Sequence, residues 1–244
     1  MVLESPSLRG DALHGRIQDR ITRFIIERGF RPGDPLPAEA DLARALGISR
    51  PSLREAMKAL QSLGVVEARH GSGTYVGNFS LGPLVDGLAF RIRIDLTQNV
   101  QTIRELLEIR LILESSLVAR VAAERTPEQI ARLETLVATM ERRGAAGEEF
   151  PEEDRVFHEV LYRPLGNTLV VTLLQAFWDV LSRVRADLTL SPANPAVTAF
   201  DHRRILDAIV AGDGHAAAAA MTVHFSGIQA RIQEPVPPAG RREQ

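Results

Sequence analysis

The chain of 244 residues contains no cysteine, which excludes disulfides, thiolate metal sites and cysteine nucleophiles. It also lacks a long apolar run. The most hydrophobic stretch, around Leu169–Trp178, is interrupted by Thr172 and Gln175 and falls short of the roughly 20 residues a membrane span needs. At the N-terminus no charged patch leads into an apolar segment and a cleavage site, so no signal peptide is expected, and the cytoplasm is the expected compartment. Nor does charge of one sign advertise a polyanionic partner, since 29 Lys and Arg stand against 31 Asp and Glu. The distribution is uneven, however. Met1–Asn78 carries 11 basic against 9 acidic residues and the remainder 18 against 22, the asymmetry a nucleic-acid-binding N-terminal module would have. No internal repeat is present, and the length allows two domains that each bury a core.

What is present reads as a mainly α protein. Residues 1–10 lack periodicity and are expected to form a flexible arm. From Asp11 to Arg28, Leu13, Ile17, Ile21, Phe24 and Ile25 recur at helical spacing, and Gly29 stops that helix. Arg31–Pro37 holds three prolines and a glycine and reads as a rigid turn. A short helix is expected over Ala38–Leu46, ended by Gly47, and a third from a Ser49 cap to about Leu63. Two β-prone runs, Val65–Ala68 and Thr74–Val76, flank His70-Gly71-Ser72-Gly73 and read as a hairpin. A Gly/Pro-containing linker is expected over 79–101, followed by an antiparallel helical bundle over 102–234 and a disordered tail over 235–244. Within the bundle, Thr102 with Glu105 fits a capping box, and Leu106, Ile109, Leu113, Leu117 and Val121 mark the expected buried stripe. Thr126-Pro127 with Gln129 opens the next helix to about Arg143, and Gly144–Gly147 reads as a loop. Further helices are expected over 151–162, 168–190, 196–211 and 214–233.

The N-terminal order of three helices and a hairpin is that of a winged helix-turn-helix, whose third helix enters the major groove of double-stranded DNA. That helix begins Ser49-Arg50-Pro51-Ser52-Leu53-Arg54. Arg50 and Arg54 share a face at i, i+4, while Leu53, Ala56, Met57 and Leu60 would face the core. Arginine bonds guanine O6 and N7 in parallel, so these two side chains are the candidate base readers. Ser49 and Ser52 offer hydroxyls to phosphate, and His70 with Gly71 would let the wing approach the duplex. For an isolated helix two such arginines are more often solvated charges; the flanking turn and hairpin reverse that balance.

A second cluster lies in the C-terminal half. Asp154 and His158 share a helical face at i, i+4. His202 and His224 each lie eleven residues from a turn centred near Asp213, so an antiparallel helical pair brings them side by side, on the order of 15 Å from the turn. Three imidazoles and a carboxylate suit a divalent ion such as Zn²⁺, Ni²⁺, Mn²⁺ or Fe²⁺. On geometry alone the alternative stands beside it: His202 and His224 as surface or cap residues, and Asp154–His158 as a helical ion pair. His14, His70 and His215 have no partner at ligand spacing.

The stretch Pro35-Leu-Pro-Ala-Glu-Ala-Asp-Leu-Ala, through Gly47-Ile-Ser-Arg-Pro-Ser-Leu-Arg-Glu-Ala, to His70-Gly-Ser-Gly-Thr-Tyr-Val closely resembles the DNA-binding domain of GntR-type bacterial regulators over roughly 11–76. By that resemblance Ser49, Arg50, Arg54, His70 and Gly71 fall on DNA-contacting positions. Ala40 departs from it, because the family usually has arginine there. Glu108-Ile-Arg110 with Glu114, Asp154 and His158 with Asn167, Asp201-His202, and Gly212-Asp213 leading to His224 resemble the helical FCD effector domain of the FadR-like branch. In its metal-binding members the ligands fall where Asp154, His158, His202 and His224 stand here. The resemblance implies an organic-acid or sugar-acid effector that meets the open metal positions, with Arg110 and Asn167 as effector-binding candidates. Arg110 can equally be a structural partner of Glu114, four residues on.

The leading expectation is a homodimeric, metal-dependent regulator, a repressor by preference, whose affinity for a pseudo-palindromic operator is controlled by a small carboxylate. A metal-dependent, hydrolase-like enzyme is the first alternative, because a three-His, one-Asp site can activate water; against it, spacing places no further acid or base near the ligands, and Glu159 on the same helix is an unremarkable surface candidate. A metal sensor or a structural metal is the second.

Overall fold

The computed structural model describes residues 8–78 and 80–233, with side chains from residue 15 onward. The expected arm over 1–10, apart from its last three residues, and the expected tail over 235–244 lie outside the described residues, as does the Leu13 side chain. The chain divides into two compact units that meet at Leu84 and Val85.

In the first unit, α1 (Leu8–Glu27), α2 (Glu39–Leu46) and α3 (Arg50–Ser62) precede a hairpin of β1 (Val66–Arg69) and β2 (Gly73–Val76). Ile17, Ile21 and Ile25 recur at i, i+4 and i+8 and bury one stripe of α1, which packs on α3. Leu53, Ala56, Met57 and Leu60 form the answering stripe of α3, as the spacing predicts. Gly47 closes α2 with φ +59°, and the Ser49 hydroxyl caps α3 by accepting the Ser52 N–H at 3.2 Å. The hairpin is antiparallel with Val66 opposite Val76, and only these two strand residues are buried. The proline segment after α1 does more than turn the chain. Its Gly33 and Leu36 N–H groups donate to the Val76 and Thr74 carbonyls, each at 2.8 Å, so it runs along β2 and covers that edge. Gly77 leaves β2 so close to Gly64 that a Cβ would overlap the Gly64 carbonyl oxygen.

The second unit is an all-helical bundle of α4 (Gly82–Asp95), α5 (Gln101–Glu124), α6 (Pro127–Ala145), α7 (Pro151–Tyr162), α8 (Thr168–Val184), α9 (Pro195–Ala211) and α10 (Gly214–Ala230), with single 3-10 turns after α7 and α8. Helix α5 packs against α10 and α9, and α6 against α9 and α7. Thr126, Asn167, Asn194 and Asp213 each cap a following helix through the side-chain oxygen, and Gly212 closes α9 with φ +75°.

Several expectations need correction. Most of the expected linker over 79–101 is helix α4. Its apolar residues point both inward (Val85, Ala89, Ile92) and outward (Phe90, Ile94), so no single amphipathic stripe announces it. Thr102 does not form a capping box. Its hydroxyl bonds Asp95 instead, and the Asn99 side chain accepts the Gln101 N–H at 2.9 Å. The buried residues of α5 are Ile103, Leu106, Leu107, Arg110, Glu114, Val118, Val121 and Ala122, so Leu106 and Val121 of the expected stripe are buried, whereas Leu113 and Leu117 are half-buried and Ile109 is exposed. Expectation and structure part in the middle of the helix, where two charged residues, Arg110 and Glu114, occupy the buried face. Gly144 belongs to α6, where a Cβ would lie 2.9 Å from the Pro195 carbonyl oxygen, so glycine there permits a close crossing rather than a loop. Helix α8 ends at Val184, short of residue 190.

A Gly77→Ala substitution should destabilise the hairpin unit by about 2 kcal/mol or more, because backbone faces the added methyl. Urea denaturation followed by circular dichroism checks this against Gly87→Ala, where nothing lies within 4 Å and the change should be neutral or mildly stabilising.

Candidate metal centre and nucleic-acid interface

Helix α7 contributes Asp154 and His158 one turn apart, α9 contributes His202, and α10 contributes His224. One donor atom from each lies within 4.8 Å of every other. Donors about 2.1 Å from one ion stand about 3.4 Å apart in a tetrahedron and at most about 4.2 Å apart, so a cation would need to draw the outermost pair of this set in by roughly 0.6–1.4 Å. The His202 and His224 rings stand side by side, with centroids 4.5 Å apart and a T-shaped arrangement, as equal distances from the Gly212–Asp213 turn require. All three imidazoles are buried, which removes the surface-or-cap alternative.

The hydrogen bonds favour a cation at the centre. His202 Nδ1 lies 2.8 Å from the Thr198 carbonyl oxygen. That oxygen can only accept, so Nδ1 donates to it and Nε2 faces the Asp154 carboxylate, 2.7 Å away. His158 Nδ1 bonds the Glu114 carboxylate, leaving Nε2 toward Asp154 at 3.4 Å. His158 Nε2 and His224 Nδ1 are buried without a hydrogen-bond partner. Such unpartnered buried polar atoms are costly unless a ligand satisfies them, and the residues present therefore fit a divalent ion.

Electrostatics agree. Burial opposes ionisation of Asp154, yet the neighbouring His202 and His158 hold its carboxyl well below the usual carboxylate range. Burial likewise opposes charge on Glu114, but His158 and Arg110 bring it down to about 2. Burial would neutralise His158, and Glu114 with Asp154 overrides it and raises the ring to about 9. Burial and the nearby His202 push His224 well below the ordinary imidazole range. Two acids therefore stay ionised in the core, and His224 stays neutral, as a ligand must.

Behind the centre, Arg110 donates to Glu114 Oε1 from Nε at 2.9 Å and from Nη2 at 2.8 Å. Its guanidinium lies 4.9 Å from the Trp178 ring centroid and 5.1 Å from that of Phe225. Both members of the pair are buried, so Arg110 is the structural partner of Glu114. It also lines a cleft of about 570 Å³ whose wall includes Asp154, Trp178 and His224. Asn167 is a correction: it is exposed, caps α8 by accepting the Val170 N–H at 3.2 Å, and is absent from the cleft wall. Glu159, the acid–base candidate, pairs with Arg163.

On the first unit Arg50 and Arg54 are exposed at the start of α3. Arg54 Nη2 bonds Glu39 of α2 at 2.8 Å, and this bond holds the Glu39 carboxyl below its ordinary range. The Ser49 and Ser52 hydroxyls bond each other at 2.8 Å. His70 and Gly71 are exposed at the hairpin tip, where Gly71 has φ +72° and the Ser72 N–H closes the turn on the Arg69 carbonyl. Sequence reasoning missed the Glu39–Arg54 pair, which no helical spacing signals. It also missed that Glu114 reaches His158; the only available signal was its position four residues after Arg110.

The FCD domain family matches residues 105–227, and the gntR family of bacterial regulatory proteins matches residues 13–76. The chain is 30% identical to the HTH-type transcriptional regulator LutR of Bacillus subtilis, over 84% of this chain and 94% of LutR. It is 29% identical to the HTH-type transcriptional repressor NanR of Cronobacter sakazakii, over 89% and 84% of the two chains. Among solved structures, Streptococcus agalactiae GntR is similar with a TM-score of 0.63 and 28% identity, covering 89% of this chain and 99% of that one.

Purified protein should carry about one divalent ion per chain by elemental analysis. Glu114→Gln leaves all four donors in place yet should weaken metal affinity about 10- to 100-fold in competition with a chelating dye, since the carboxylate that orients His158 is gone. Because His158 holds its proton to about pH 9, metal binding should release that proton below this pH. Affinity should then rise with pH by up to about tenfold per unit between pH 6 and 9.

Proposed function

The chain belongs to the GntR family of bacterial regulatory proteins, in its FCD-containing branch, and we propose that it is a cytoplasmic, homodimeric repressor whose operator affinity is set by a small organic or sugar acid bound at a divalent metal in the helical unit. It is a transcriptional regulator of GntR/FCD type. The observation that carries the reading is the convergence of Asp154, His158, His202 and His224 beside a cleft large enough for a small molecule. A bound metal would supply Lewis-acid attraction for a carboxylate or hydroxyl oxygen. Asp154, His158, His202 and His224 would hold it, with Glu114 and the Thr198 carbonyl fixing two of the rings. Arg110 would steady Glu114 at the cleft wall.

For DNA, the reading assigns base contacts to Arg50 and Arg54, phosphate contacts to Ser49 and Ser52, and wing contacts to His70 and Gly71. The exposed pairing of Arg54 with Glu39 is weak and screened by salt, so it yields readily to a guanine edge. A second copy would cover exposed Ile109 and Ile112 on α5, and two modules would then meet an inverted repeat. The repressor role is supported by the likeness to NanR, which is named a repressor. Among the described residues no helix is long and apolar enough to cross a membrane.

The test is fluorescence anisotropy of metal-loaded protein on an inverted repeat selected in vitro from random duplexes. Arg50→Ala and Arg54→Ala should each cost about 1–3 kcal/mol of specific affinity without changing metal content. A bound hydroxy acid should weaken DNA binding by about 1–3 kcal/mol, and only with metal present. No preference over random DNA refutes the regulator reading of these residues. Thermal stabilisation by metal with no response to acids reduces the metal to a structural role.

A further inference from the structure

Four arginines line the cleft beside the metal cluster: Arg110, Arg155, Arg185 and Arg231. Three are already matched to a carboxylate. Arg110 is held by Glu114, Arg155 by Glu152 at 2.8 Å, and Arg185 by Glu149. Arg231 differs. Its Nε donates to the Ser191 carbonyl oxygen at 3.2 Å, and among the described residues no carboxylate pairs with it and nothing accepts from its terminal nitrogens. A half-buried guanidinium with unused donors is the group that gains most from an anionic ligand.

Its placement is built rather than accidental. The Ser191 N–H donates to the Arg231 carbonyl at 2.8 Å, the Gln233 N–H donates to the Thr189 carbonyl at 3.1 Å, and Leu190 and Ile232 form an antiparallel bridge. The backbone of Arg231 is thus clamped to the segment before α9. His224, Ile228 and Arg231 all line the cleft, at positions i, i+4 and i+7 along α10 and its C-cap. Seven residues of helix place the Arg231 backbone about 10 Å beyond His224.

We propose that Arg231 reads a second acidic group on the ligand, so that the effector is a two-headed acid with about a five- or six-carbon backbone: one carboxylate meets the metal, and the other meets Arg231. This inference rests on the proposed metal-bound carboxylate and adds the far pole of the site. A three-carbon monoacid would leave much of a 570 Å³ cleft to water and Arg231 without an anionic partner.

The experiment uses full-length, metal-loaded protein and matched probes: 2-hydroxyglutarate against 2-hydroxypentanoate, and 2-hydroxyadipate against 2-hydroxyhexanoate. Each pair differs only by a methyl in place of the distal carboxylate. Trp178, the single tryptophan of the sequence, lines the cleft and reports binding by its fluorescence, with calorimetry as the second readout. In the wild type at least one diacid should bind about tenfold or more tightly than its monoacid partner. In Arg231→Gln that preference should fall to within about twofold through weaker diacid binding alone, with metal content unchanged, and Arg231→Lys should retain part of it. Equal binding of both members of each pair to the wild type, or parallel weakening of both in Arg231→Gln, overturns the role of Arg231 while leaving the metal end intact. If neither class binds and metal removal changes nothing, the acid-effector reading itself falls, and this inference with it. Should Arg231→Gln fail to fold, the wild-type preference and the lysine variant still decide.

Discussion

A buried run of charge, Arg110 to Glu114 to His158, is the constraint around which the helical unit is built. Among the described residues, every buried polar or charged residue apart from Gln129 belongs to this run or to the imidazole cluster it supports. Bringing an unpaired carboxylate or guanidinium into a core costs several kcal/mol, so each group must be met by another. Arg110 meets Glu114 twice, Glu114 meets His158, and His158 and His202 both turn toward Asp154. The network still leaves His158 Nε2 and His224 Nδ1 unsatisfied. A divalent cation would close it, and this is why the cluster reads as a binding site rather than as a fold-stabilising ion pair.

The same network explains which parts of the structure the sequence reveals. Asp154 and His158 are legible because one helical turn separates them, and His202 and His224 because a glycine-ended turn lies midway between them. Capping residues such as Ser49 and Thr126 are legible because their chemistry is local. The seam of α5 is not. A reading that assigns charged residues to solvent moves the stripe from Arg110 and Glu114 to Ile109 and Leu113, and the error disappears only once the partner across the bundle is known. Helix α4 was hidden for a related reason: apolar residues on two faces give no periodic signal. Asn167 failed differently, since a cap asparagine and a ligand-binding asparagine look alike in one dimension.

The cluster also joins elements distant in sequence. Asp154 and His158 on α7, His202 on α9 and His224 on α10 share one centre, and Glu114 ties α5 to it through His158. An ion there would add His224 of α10 to the polar contacts that already join α5, α7 and α9, and a ligand on that ion would touch the same set. Coupling requires that ligand affinity differ between two arrangements of such helices, and the effect is reciprocal. A site placed at the meeting point of α5, α7, α9 and α10 can bias how all of them pack, whereas a site on one helix could not.

Arg54 and Arg110 show how one residue type takes opposite roles according to solvent. Each bonds a glutamate at 2.8 Å. The Arg54 pair is exposed on both sides, and in high dielectric such a pair contributes roughly 0–1 kcal/mol, so Arg54 can leave Glu39 for another acceptor at little cost. The Arg110 pair is buried, and separating it would strand two charges in the core at a cost of about 3–5 kcal/mol. Arg110 is therefore a fixed part of the site wall. An arginine free to take a ligand must lie between these limits, held in place by backbone yet without a carboxylate, and among the arginines lining the cleft that description fits Arg231.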